Sequence, residues 1–133
     1  MSTDRESAFH ALRDLLRAHE RGLGLSVTAD TPTRFELDAA VGPATIAAWR
    51  GRQRSARIPV AWVERGNAYV GFHLMGLSGN ARLAADISPA LRKRMQGKTC
   101  FNFQRPDATL FAELDAVTAA SIDGMRRTGF IVD

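Results

Sequence analysis

The hydrophobic period of this chain changes twice along its length, and few folds accommodate such a change. Between residues 3 and 20 the apolar side chains recur at three- and four-residue spacing. Ala8, Phe9, Leu12, Leu15, Leu16 and His19 fall on one stripe, while Arg5, Glu6, Arg13, Asp14, Arg17 and Glu20 fall largely outside it. That spacing matches the helical turn and predicts an amphipathic helix, capped by Ser2 or Thr3 and stopped by Gly22. The period then drops to two. Leu23, Leu25, Val27 and Ala29 alternate with Gly24, Ser26 and Thr28. After a turn at Asp30 to Thr33, Phe35, Leu37 and Ala39 alternate with Arg34, Glu36 and Asp38. Each run predicts a half-buried strand.

Between Val41 and Ala56 the pattern fades: residues 44–49 fit a short strand or one helical turn, and 51–56 read as an exposed loop. Ile58 to Glu64 and Ala68 to Met75, rich in β-branched and aromatic residues and joined across Arg65, Gly66 and Asn67, predict a hairpin. Gly76 to Asn80 breaks the strand. Ser88 as a cap with Pro89 at the first helical position predicts a short basic helix to about Gln96, ended by Gly97, and Thr99 to Gln104 a last strand. Beyond Pro106 and Asp107 the helical period returns, carrying Leu110, Phe111, Leu114, Val117, Ile122 and Met125 toward the core and ending near Gly129. Gly124 weakens this helix by about 1 kcal/mol relative to alanine.

Hairpin-length connections favour antiparallel pairing, and two long amphipathic helices must bury their stripes against the sheet. The expectation is an α+β fold: a two-layer sandwich of about five antiparallel strands, with the N- and C-terminal helices on one face. A length of 133 residues suits one core, and no repeat, low-complexity tract or linker divides it, so residues 1–133 read as a single domain.

Composition narrows the functional classes. An apolar fraction of 45% and a charged fraction of 24% exclude a disordered or fibrous chain. The longest apolar run, Ala68 to Leu77, is too short to span a bilayer. Acids and bases interleave at the N-terminus where a signal peptide needs an apolar core, and a single cysteine forms no internal disulfide. The expected location is cytoplasmic. The net charge of +4 is concentrated at Arg50, Arg52, Arg54 and Arg57, and at Arg92, Lys93, Arg94 and Lys98. Either cluster suits an anion such as a phosphate-bearing metabolite or a nucleic-acid backbone, and Trp49 and Trp62, nearby in the sequence, would allow stacking. No glycine-rich phosphate loop or nucleic-acid motif accompanies them.

If helices cover one face, the alternation sorts the strand residues. Leu25, Val27, Phe35, Leu37, Val70, Phe72, Leu74, Phe101 and Phe103 belong beneath the helices. Ser26, Thr28, Glu36, Asp38, Tyr69, His73, Cys100 and Asn102 belong to the other face. That second set gathers an imidazole, a phenol, a thiol and two carboxylates on a surface the core does not need. Trp62 is assigned to neither side, because its strand is apolar on both. Glu36 and Asp38 would complete a metal site with His73 only if their strands were near neighbours. Cys100, close to a cationic helix end, is a candidate low-pKa thiol or a small packing residue. No Ser-His-Asp or Cys-His order points to nucleophilic catalysis.

The segments Tyr69 to Leu77 (YVGFHLMGL) and Gly97 to Phe103 (GKTCFNF), with a helix opening Ser88-Pro89 and a closing helix, resemble the YdhG-like family of small bacterial domains. The resemblance covers roughly residues 5 to 128. It implies a fold similar to frataxin, a five-stranded antiparallel sheet flanked by helices, and one member type is described as a frataxin-like iron chaperone. Frataxins hold iron on an acidic ridge, because hard iron prefers carboxylate oxygens. In this chain Asp4, Glu6, Asp14 and Glu20 each neighbour an arginine. The leading expectation is therefore a non-catalytic binding module without a cofactor. Its exposed sheet face would receive a small anionic ligand or a partner protein through Tyr69, His73, Lys98 and Asn102, with Arg50 and Arg52 as further charge contacts. The alternative is an iron-binding chaperone using Glu36, Asp38 and His73.

Overall fold

Ala8, Phe9, Leu12 and Leu16 are buried along one side of helix α1 (Asp4–His19), as their spacing requires. The computed structural model describes residues 3–20, 24–52 and 56–132; Ser2, Gly22, Leu23 and Arg54 of the sequence reading lie outside the described residues. Thr3 is the cap: its Oγ1 accepts the Glu6 backbone N–H at 3.0 Å, an arrangement worth about 1 kcal/mol.

The middle of the chain forms strands β1 (Ser26–Thr31), β2 (Arg34–Val41), β3 (Arg57–Arg65) and β4 (Val70–Leu74). Strands β5 (Met95–Gln96), β6 (Cys100–Phe103) and β7 (Ile131–Val132) complete one sheet in the order β1-β2-β3-β4-β6-β5, with β7 on the end of β2. All pairs are antiparallel. The chain is thus α+β with seven strands rather than five, the two additions being two-residue strands too short to show a period.

Between β2 and β3 lies α2 (Pro43–Ala48), which resolves the ambiguous segment as a helix. It ends where Arg50 and Gly51 both turn left-handed, at φ 53° and 74°. A 3-10 turn (Met75–Leu77) follows β4 and leads to α3 (Ala81–Ala85), capped by Asn80 and too brief for sequence periodicity to reveal. The expected basic helix is only α4 (Pro89–Arg92). Beyond it the backbone leaves the helix to pair with β6, Asn102 N–H donating to the Arg94 carbonyl at 2.7 Å and Met95 lying opposite Phe101. Helix α5 (Ala108–Arg127) closes the chain, with Asp107 accepting the Leu110 N–H at 3.0 Å as its cap.

One apolar cluster joins these elements. Phe35, Phe72, Phe101 and Phe103 from the sheet meet Phe9 and Leu12 of α1 and Leu114 and Ile122 of α5. The Phe103 and Phe111 rings meet edge to face at 4.9 Å, and the Arg17 guanidinium lies over the Phe35 ring. Val27, expected beneath the helices, is instead 39% exposed: it sits on the sheet edge beside a bulge that shifts β1 against β2. Gly124, a weak helix former, has a packing role, because a Cβ there would come within 3.0 Å of Asn80 Nδ2 at the start of α3. No helix among the described residues is long and apolar enough to cross a membrane.

Candidate functional site

The two-residue period that buries Phe35, Phe72 and Phe101 aims the intervening side chains the other way. Register then aligns them across the sheet. Glu36 lies opposite Trp62, Trp62 opposite His73, His73 opposite Cys100, and Cys100 opposite Gln96, one row crossing five strands. The next row runs Arg34, Glu64, Gly71 and Asn102. These side chains are half-buried or exposed, in contrast to the sealed apolar face. Trp62, which the sequence left unassigned, belongs to this polar face and stacks its ring on His73, centroids 4.6 Å apart and planes within 9°.

Gly71 interrupts the second row. A Cβ at this position would meet His73 Nε2 at 3.2 Å, Asn102 Oδ1 at 3.6 Å and Cys100 Sγ at 3.8 Å. The missing side chain leaves a shallow notch over which an imidazole, the Asn102 side-chain carbonyl and a thiol already close to contact distance. Tyr69, two residues before Gly71, is 47% exposed just beyond the start of β4. Asn102 Nδ2 donates to Gln96 Oε1 at 2.6 Å, and Cys100 Sγ lies 3.5 Å from Asn102 Oδ1 and 3.6 Å from His73 Nε2.

The electrostatics divide the face in two. On the β2 side, Arg34 pairs with Glu36 and, at 3.0 Å, with Glu64, while its guanidinium sits 5.6 Å from the Trp62 ring centre. Burial pushes the Asp38 carboxyl up to about 6, helped by a hydrogen bond and like charge from Glu36. Burial acts on Glu36 in the same sense, but hydrogen bonds from Asp38, Arg34 and Thr28 outweigh it and hold that carboxyl below its ordinary value. In mildly acidic solution, below about pH 6, Asp38 therefore retains a proton that Glu36 has lost. On the β4 and β6 side, burial lowers the His73 pKa and raises that of Cys100. Both displacements favour neutral forms. A nucleophilic thiolate–imidazolium pair needs the reverse, so at neutral pH this pair offers neutral hydrogen-bonding groups.

Of the residues singled out in the sequence, His73, Cys100 and Asn102 gather around the Gly71 notch, and Tyr69 lies exposed just before β4. Lys98 is exposed in the turn between Gln96 and Cys100, at the His73 end of the row. Arg50 and Arg52 follow α2, beyond the end of β2. Glu36 and Asp38 are separated from His73 by the whole of β3, with Trp62 standing between. At the usual strand spacing the backbones of Glu36 and His73 lie about 10 Å apart. Glu36 is also engaged by Arg34 and Thr28, so these three residues do not fit an iron site. Among the described residues no group of three or more His, Cys, Asp or Glu side chains could hold a metal ion. Sequence reasoning missed Gly71, Gln96 and Arg34. A glycine inside the most apolar strand is the one available signal of a close approach or gap.

No family model, curated protein or solved structure matches the chain.

Proposed function

We propose that this chain is a non-catalytic binding module with a two-layer arrangement. Helices α1 and α5 cover the apolar side of the sheet, and the polar side is left to receive a small anionic ligand at the Gly71 notch. The observation that carries this reading is the convergence of His73 Nε2, Cys100 Sγ and Asn102 Oδ1 within 4 Å of the absent Cβ. The His73 imidazole is the group free to donate to an anion there; Asn102 faces the position with its Oδ1, which accepts from the Cys100 thiol, while its Nδ2 donates to Gln96. Lys98 carries no ion pair among the described residues and supplies the charge contact from the adjoining turn. Arg34, already shared between two carboxylates, is not free to do so.

The experiment is calorimetric titration with inorganic phosphate of the native chain and of Gly71→Val. Gly71 has no positive φ, so its backbone accepts a side chain, and the substitution acts by covering the notch and displacing the His73 imidazole that a Cβ would meet at 3.2 Å. Saturable binding that Gly71→Val weakens at least tenfold supports the reading. Equal affinity in the two proteins, or no binding by phosphate or acetate, removes the small-anion version. A partner protein is the second reading, favoured by the length of the Glu36-to-Gln96 row, which crosses more strands than a small ligand covers.

A further inference from the structure

A second concavity lies away from the notch. It occupies about 590 Å³ between the end of α2, the 3-10 turn, α3 and the C-terminal turns of α5. That volume is in the range of small-molecule sites. Its wall draws on Trp49, Met75 and Phe130, which are 50%, 38% and 37% exposed. Three of the seven large apolar side chains exposed among the described residues thus face one cavity, while the other four do not line it. Leu83, Met125 and Ile58 continue the apolar wall, and two flexible methionines let it adapt to its contents.

Two glycines hold the cavity's inner edge together. A Cβ on Gly76 would overlap Ser121 of α5, and one on Gly124 would crowd Asn80, so their absence permits the turn and α3 to approach α5. The charge around the mouth is predominantly positive. Arg127 on the wall pairs with Asp123 at 2.7 Å. Arg82, also on the wall and exposed, makes no ion pair or hydrogen bond among the described residues. Asp86 is the wall's one carboxylate and is not within ion-pair distance of Arg82. Arg50 directly follows Trp49 in the sequence, and Arg92 caps the carbonyls of Ala84 and Ile87 at the end of α3. Of the residues that stood out in the sequence, Trp49 lines this cavity; the arginines on its wall are Arg82 and Arg127.

We infer that the cavity is a second binding site, for an amphipathic small molecule with an apolar body and a single anionic head. The apolar body packs against Trp49, Met75, Met125 and Phe130, and the head meets Arg82 at the mouth. The site is independent of the Gly71 notch and lies at the opposite end of the hairpin strand β4.

The chain's two tryptophans separate the sites, since Trp49 lines the cavity and Trp62 lies on the polar face. The probe is decanoate, with decylamine and decanol as equal-length controls. Binding is read by calorimetry on the native chain and by Trp49 emission in Trp62→Phe. The expected result is saturable binding of decanoate with a change in Trp49 emission, at least fivefold tighter than decylamine. Arg82→Glu should reverse that preference, and Ala120→Trp, at an exposed α5 position on the wall, should weaken decanoate at least tenfold without lowering the melting temperature. Absence of saturable binding overturns the inference, as does equal binding of decanoate and decylamine. So does undiminished binding in Ala120→Trp. Gly71→Val should leave decanoate binding unchanged; a loss there would assign the signal to the notch instead.

Discussion

Replacing Asp38 by asparagine should stabilise the protein at alkaline pH and leave it unchanged in acid. The carboxyl is half-buried, and its Oδ1 is buried without a hydrogen-bond partner. Burial and the neighbouring Glu36 together push its pKa from 3.8 to about 6, against the opposing pull of Thr28 and Arg57. At ~1.4 kcal/mol per pH unit this displacement corresponds to about 3 kcal/mol. Partial solvent access, and the downward displacement of Glu36 to which Asp38 is linked, take away more than half, leaving about 1 kcal/mol. The sign follows from proton binding. The folded state holds the Asp38 proton more tightly than the unfolded state, so this contribution is complete below pH 3.8 and disappears as pH rises through about 6. Asparagine keeps the neutral shape and can still donate to Glu36. Urea unfolding at pH 8, 6 and 3.5 checks the reasoning. Asp38→Asn should exceed the native protein by about 1 kcal/mol at pH 8, with the difference closing toward zero at pH 3.5 and an unchanged denaturant slope. A variant less stable at pH 8, or one whose difference does not vary with pH, would refute it.

Gly76→Ala should lower stability by about 2 kcal/mol in thermal or urea unfolding, because the added methyl meets the Ser121 hydroxyl of α5 and, at 2.8 Å, the backbone carbonyl of the same residue, which cannot swing away; a neutral effect would show that the 3-10 turn is not pressed against that helix. Cys100 should react with a disulfide reagent at pH 7.5 more slowly than free cysteine, since burial raises its pKa and lowers the thiolate fraction. A faster reaction would contradict the neutral assignment of the Cys100–His73 pair. Phe72→Ala should cost about 3–5 kcal/mol, as this ring is fully buried at the centre of the sheet's apolar side, and a loss below 1 kcal/mol would place it outside the core.

Where a segment is long and its surroundings impose one period, the sequence was sufficient. Helices α1 and α5 carry enough turns for their stripes to stand out, and every residue named for the α5 core face is buried. The alternation of Val70, Phe72 and Leu74, and of Phe101 and Phe103, sorted β4 and β6 correctly, which placed His73, Cys100 and Asn102 together. The difficulty arose where register slips. Between Leu37 and Asp38 the pairing shifts from Ala61 to Pro59, leaving Val60 and Ala61 both buried and erasing the alternation that would have assigned Trp62. Strands β5 and β7 are two residues each and exist only because distant backbone, β6 and β2, is there to pair with them. The cavity escaped notice for a similar reason: Trp49, Arg82 and Phe130 are far apart in sequence, and only the packing of α3 and the last turns of α5 brings them to one wall.

The most direct measurement is the pKa of the His73 ring, followed by NMR in the free protein and with saturating phosphate. His73 should titrate below 6.5 when free, as its burial dictates, and rise by about half a unit or more when phosphate occupies the notch, because an anion favours the imidazolium. The rise should vanish in Gly71→Val. A His73 pKa that phosphate leaves unchanged, or that shifts equally in Gly71→Val, would contradict ligand binding at this gap in the polar face.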